Sequence, residues 1–346
     1  MKRFCGLLFV SVMTMFSAIG VNAAQWTVSN NPLFIAQFTS LQSAINSAAD
    51  GDTIYVYHSP NHHGTITIDK GLTLIGAGYH PSKKSSVQFI INADNVNISG
   101  FDASITAGSG TIKVKYLTLS NILGGINLVN VEKGIIYNSM CTDINTTQLL
   151  VKDFIVTNCF IQFISGTDKA HILVTNNNFP RNSTCGSTRS VFSNSICVST
   201  KAITIENNIF VNGTPSLLEF SSINNNLTFN TAQNTLPYGN NNGTGNIANQ
   251  DPKFIGNITY SLSVHEIINN NFDYRLANDS PAINAGTDST DIGVTGGLFP
   301  WPRNANGTLD YTGAPRIPNI EYFQLKNTVV GTEGTLRFNV KGTKSK

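Results

Sequence analysis

Residues 133–212 constrain the fold more than any other part of this chain. Four short β-prone runs there each stop at asparagine: Gly134-Ile135-Ile136-Tyr137-Asn138, Phe154-Ile155-Val156-Thr157-Asn158, Ile172-Leu173-Val174-Thr175-Asn176 and Ile203-Thr204-Ile205-Glu206-Asn207. The first three asparagines lie 20 and 18 residues apart, and the fourth follows after 31, so one repeat carries an insertion. A repeat of about 20 residues cannot bury a core of its own and must stack on its copies. The runs are too short for helices and suit strands. Asparagine tolerates the left-handed backbone of a tight corner. Stacked at the strand spacing of about 4.8 Å, these side chains are expected to hydrogen-bond along the stack and satisfy amides buried at the bend. The pattern predicts an all-β protein: a single-stranded right-handed parallel β-helix with one coil per repeat.

Only 12% of the residues are charged. Asn, Thr, Ser and Gly stand where Lys and Glu are usual, which fits an extracellular all-β protein. Residues 1–23 read as a signal peptide: basic Lys2 and Arg3, an apolar stretch over 6–21, and the small-residue site Val21-Asn22-Ala23. The expected location is secreted or at the cell surface. Without Lys2 and Arg3, 20 basic residues balance 20 acidic ones. No basic stripe is left for nucleic acid, no later run spans a membrane, and a monomer is expected. Cys141, Cys159, Cys185 and Cys197 remain, an even number that allows disulfides after export. Cys185 and Cys197 flank the insertion, and a bridge closing residues 186–196 is expected. Cys141 and Cys159 lie about one coil apart, as either a bridge between coils or two buried thiols.

Trp26-Thr27-Val28 reads as a first strand. Residues 38–49 read as a helix capped by Ser40, with Leu41, Ile45 and Ala48 on one face, placed to cover the open end of the solenoid. Strand-like segments follow at Thr53-Ile54-Tyr55-Val56, Ile66-Thr67-Ile68 and Leu72-Thr73-Leu74-Ile75. This order resembles the beginning of secreted β-helix proteins of the pectate-lyase-like superfamily. Asn207-Asn208-Ile209-Phe210-Val211-Asn212 is similar to that family's repeat unit. A later series is Asp251-Pro252-Lys253-Phe254, Phe272-Asp273-Tyr274-Arg275-Leu276, residues 279–286, and Asp291-Ile292-Gly293. It resembles the C-terminal closing segment of many bacterial members, which implies a cap over the last coil. The β-helix is thus expected over residues 24–297, with a polar Gly/Asn loop at 234–249. Residues 298–346 read as a Pro/Gly-rich strap and a terminal β-hairpin.

The resemblance implies a groove along one parallel sheet, where enzymes of the superfamily use acidic residues, calcium, and a Lys or Arg near the substrate. Pectinesterase-like motifs are absent. So are the Asn-Thr-Asp, Asp-Asp, Gly-His-Gly and Arg-Ile-Lys series of polygalacturonase-like enzymes and the Arg-x-Pro-x-x-Arg pattern of pectate lyases. Their absence argues against the familiar pectin activities. Repeat alignment stacks Glu132 and Lys133 on Lys152 and Asp153, with His171 next and Asp168 and Lys169 beside them. This is either an acid/base patch built on Lys133, Asp153 and His171, or a solvent-facing ladder of ion pairs worth about 0–1 kcal/mol each. His58, His62 and His63 are either metal ligands or turn residues. Asp288 and Asp291 either hold calcium or cap turns, and calcium is the one cofactor under consideration. Trp301, between prolines, either stacks on a sugar or anchors packing. The expected function is binding of a polysaccharide or cell-surface component without catalysis. A divergent polysaccharide lyase or glycoside hydrolase, and a structural or adhesive module, are the alternatives.

Overall fold

In the computed structural model the asparagine-terminated runs stack in parallel, in the register the asparagines set. Tyr137 lies beside Thr157, Thr157 beside Thr175, and Thr175 beside Glu206. The structure describes residues 23–346 except 147–148, 167–169, 181–193, 199–202, 217, 257, 259–261, 317–318, 326–337 and 344–346. Twenty strands join into one continuous sheet wound as a right-handed β-solenoid. Each full coil has a front strand (134–137 is one example), a corner, a back strand (Met140–Thr146), a side segment (150–152) and a second corner.

The core follows from the alternation of each front strand. Ile98, Leu119, Ile136, Val156, Val174, Ile205 and Ile223 are mutual neighbours from coil to coil, and none is more than 1% exposed. Burying each such side chain contributes about 1.5–3 kcal/mol. The opposite face of every front strand points outward. Among those positions, one row runs Ile75, Ser99, Ser120, Tyr137, Thr157, Thr175, Glu206 and Asn224.

At the first corner Asn121, Asn138, Asn158, Asn176, Asn207 and Asn225 all adopt left-handed backbone, with φ between 48° and 57°. The expected side-chain ladder is displaced by one residue. Buried Asn177, Asn208 and Asn226, with Asn246, form it. Asn177 N donates to Asn208 Oδ1 (2.9 Å), Asn208 N to Asn226 Oδ1 (3.0 Å), and Asn226 N to Asn246 Oδ1 (3.0 Å). The physical reason is direction: the corner residue turns outward, and the next side chain turns into the bend, where backbone amides need partners. Asn246 comes from the segment expected to be a loose polar loop. That segment adds another partial rung, with bridges from Ser222 to Asn242 and from Leu227 to Ile247.

Helix α1 (Leu41–Ser47) begins at Ser40, whose side chain accepts from Ser43 N, and buries Leu41, Ala44 and Ile45. Lys70 Nζ donates to Ile45 O, Asn46 O and Ala48 O (2.8–3.2 Å), satisfying carbonyls at the helix end. Helix α2 (Val264–Asn270) is capped by a reciprocal Ser263–Glu266 box. Neither is long and apolar enough to cross a membrane. Strands Asn319–Leu325 and Phe338–Thr343 pair as an antiparallel hairpin.

A second apolar cluster lies outside the coils. Leu123, Met140, Phe160, Ile209 and Leu227 begin back strands and point outward, with Asn178 at the same place in the coil between Phe160 and Ile209. They are covered by Phe254, Val264, Ile267, Tyr274, Ile292, Trp301 and Tyr311. The C-terminal segment is therefore not confined to the last coil. It runs back along the flank, held by the outward corner asparagines. Asn225 Nδ2 donates to Ala285 O (2.8 Å), Asn207 Nδ2 to Thr287 Oγ1 (2.9 Å), Asn176 Nδ2 to Asp291 O (3.3 Å), and Asn158 Nδ2 to Val294 O (3.2 Å) and Gly296 O (2.6 Å). One coil further on, the Phe299 ring stacks on Tyr137 with centroids 4.5 Å apart.

Candidate functional site

Beyond Phe299 the strap leaves the asparagine row, and a cleft of roughly 380 Å³ opens between strap and front sheet. Its floor is the outward face of successive front strands: Thr73 and Ile75, Asn97 and Ser99, Ser120, and Tyr137. Corner residues Asn121 and Asn138 form one edge, and Pro302, Pro315 and Arg316 line the strap side. The strap is held there by Tyr79 N and His80 N, which donate to Thr312 O at 3.1 and 3.2 Å. Gly100 occupies the first-corner position of its coil with φ +83°, and a Cβ there would meet the Pro315 ring at 2.5 Å. Glycine is therefore what lets the strap approach.

The cleft is furnished with neutral hydrogen-bonding groups. Ser120 Oγ donates to Ser99 Oγ (2.9 Å), and Asn121 Nδ2 donates to the same oxygen (3.0 Å). With two donors on its oxygen, the Ser99 hydroxyl directs its own proton elsewhere. Asn138 Oδ1 is buried and accepts no hydrogen bond. At the equivalent corners the Oδ1 of Asn158 and Asn176 accepts from the hydroxyl of the preceding threonine, and that of Asn207 from Thr287 N, whereas the residue before Asn138 is Tyr137. A buried amide oxygen without a donor costs about 1–3 kcal/mol, which a ligand hydroxyl would relieve. Arg316 brings a guanidinium, which also donates to Arg303 O (3.0 Å). No Asp or Glu is among the lining residues.

The charged patch read from the repeats lies at the other corner. Glu132 sits between Lys115 and Lys152 in register and pairs with Lys113 at 3.4 Å. Burial works to raise the Glu132 carboxyl, but the Lys113 hydrogen bond and charge, with Lys115 and Lys152, hold it below its ordinary value. Lys133 and Asp153 both have left-handed backbone, and Lys133 Nζ lies 5.5 Å from the Tyr116 ring centroid. Lys152 and Asp153 together face the single residue His171, because the register shifts there. The His171 side chain, and Asp168 and Lys169, lie outside the described residues.

Other sequence candidates have local tasks. Asp288 Oδ1 accepts from Thr290 N and Oγ1, and Asp291 accepts from Asn284 N and Thr295 Oγ1, so both carboxylates cap turns. His62 Nδ1 accepts from Gly64 N (2.8 Å). Among the described residues no group of three or more His, Cys, Asp or Glu is placed to hold a metal ion. Trp301 is 3% exposed, packs on Phe160 and donates to Asp310 O, as an anchor and not a sugar platform. Cys141 and Cys159 are buried free thiols, and Cys159 Sγ donates to Thr157 O (3.1 Å). Cys185 lies outside the described residues, as does the Cys197 side chain, and with them the expected bridge.

In the sequence Glu206 stands out only as part of a β-prone run. It continues the same outward row three coils beyond Tyr137, outside the cleft lining and near Asp288. Burial, then the Asp288 charge, raises its carboxyl above the ordinary value. Ser99 and Asn121 were also missed, although Leu117-Thr118-Leu119-Ser120-Asn121 is another β-prone run ending at asparagine.

No protein-family model matches this chain, and no curated protein matches it.

Proposed function

We propose that this protein is an exported β-solenoid, of the pectate-lyase-like kind, that binds a glycan in the cleft between strap and front sheet without cleaving it. The observation that carries this reading is Asn138 Oδ1, a buried acceptor without a donor, in a cleft furnished with hydroxyls and amides. Sugar hydroxyls are donors and acceptors at once and match such a lining. The signal-like residues 1–23 support export.

The test is a panel of acidic and neutral polysaccharides, assayed for binding and for product release, with and without calcium. Binding without product release is expected. Asn138→Ala should weaken binding about five- to tenfold, since the lost hydrogen bond is worth about 1 kcal/mol. Product release from any polysaccharide would sink the non-catalytic reading. One observation favours the enzyme alternative: burial and the charge of Asp288 raise the Glu206 carboxyl above its ordinary value, and glycosidases work with two carboxyl groups, one of them raised. Product release abolished by Glu206→Gln would establish that alternative.

A further inference from the structure

The N-terminal end of the solenoid carries an apolar prong that the cleft does not use. Leu33 is 83% exposed and Ile35 98% exposed. The loop presenting them is firmly built. Asn31 Oδ1 accepts from Leu33 N, Asn31 O from Phe34 N, and Gln37 Oε1 from Thr27 N. Phe34 rests against His58 (ring centroids 4.7 Å apart) and Tyr57 (6.0 Å). Asn30 and Asn61 exchange side chain-to-backbone hydrogen bonds, which tie the prong to the next loop. Ser59 N donates to Lys84 O, which joins a third loop.

The charge of this surface is one-sided. The segments 29–38, 57–64 and 76–86 contain Lys83 and Lys84 and no Asp or Glu. Lys84 is paired with Asp102 at 2.9 Å, and Lys83 is exposed. A protein partner would need a pocket shaped to two protruding aliphatic side chains. A fluid interface needs none, and it accepts aliphatic tips with aromatic and cationic groups at their base.

We infer that Leu33 and Ile35 insert into the headgroup region of an anionic lipid surface, with Lys83 contributing attraction from the adjoining loop. This does not rest on the glycan reading. The exported chain is mixed with phosphatidylglycerol–phosphatidylcholine vesicles, or with phosphatidylcholine vesicles alone, and separated by flotation. Binding to the anionic vesicles, weakened by salt, is expected. The double variant Leu33→Ser, Ile35→Ser should bind at least about tenfold more weakly. Its thermal unfolding should match the unsubstituted chain, because both side chains stand in solvent. Lys83→Glu should weaken binding as well. The inference is overturned if the unsubstituted chain binds no vesicles, binds phosphatidylcholine equally, or binds no better than the double variant. It is also overturned if the prong instead joins two copies, seen as a concentration-dependent mass that the double variant lacks.

Discussion

Asn207 and Asn208 are neighbours of the same type with opposite tasks. Asn207 takes the left-handed corner and faces out, where its side chain accepts from Thr287 N and donates to Thr287 Oγ1. Asn208 is fully buried; it accepts from Asn177 N and donates to Val174 O, Glu206 O and Asn226 Oδ1. Asn208→Ala strands several buried groups at once and should cost about 2–4 kcal/mol in urea unfolding. Asn207→Ala should cost less, about 1–2 kcal/mol, for the corner strain and the strap contact. The corner position was legible because asparagine recurs there at one phase. The ladder position was not, because Ser139, Cys159, Asn177 and Asn208 occupy it in turn, and only geometry shows a shared place. A second residue-scale test concerns His63, whose ring Nε2 is buried without a partner. Burial, then the His62 charge, lowers its pKa to about 4. The folded state thus holds the neutral ring while the unfolded chain takes up a proton near pH 6.5. Stability should fall as pH drops below about 6.5 and level off below about 4. His63→Gln should flatten that limb in a pH series of thermal unfolding.

Among the elements, the strap does most to define the cleft. The segment 251–293 that leads into it reads as a cap over the last coil, and Phe254, Tyr274 and Ile292 lie against apolar side chains of several coils. What sequence could not supply is the path. The asparagines that hold the strap and the strap residues they hold are 60 to 138 positions apart, and nothing local links them. The cleft was hidden for the same reason, since Ser99 and Pro315 meet only in three dimensions. Helix α2 left a legible signal in Ser263-x-x-Glu266, but seven residues are too few for a helical period to stand out. The strap's approach at Gly100 can be tested directly. Gly100→Ala combines φ +83° with a clash against Pro315, so it should cost about 1–2 kcal/mol. If the strap side shapes the binding cleft, the same substitution should also weaken glycan binding, read by titration against the unsubstituted chain.

For the whole molecule, the question is how a stack of coils becomes one cooperative unit. In a solenoid each coil touches only its neighbours, so stability is close to a sum of nearest-neighbour terms, and ends can open alone. Here residues 285–299 of the strap cross the coils of Asn225, Asn207, Asn176 and Asn158 and stack on Tyr137 in the next. Opening any one of those coils must release the strap, which exposes the apolar row from Met140 to Leu227. The strap therefore links coils that are not in contact with one another. Native-state hydrogen exchange reads this directly. In the unsubstituted chain, amides of the strands at 154–157, 172–175, 204–206 and 222–224 should exchange with similar opening free energies. In a triple variant, Asn158→Ala, Asn176→Ala, Asn225→Ala, the strap contacts weaken while the inward ladder of Asn177, Asn208 and Asn226 remains. Protection should then become graded, lowest at 222–224 and rising toward 134–137. A uniform fall across all these strands would place the cooperativity in the stack itself and remove the strap from that role.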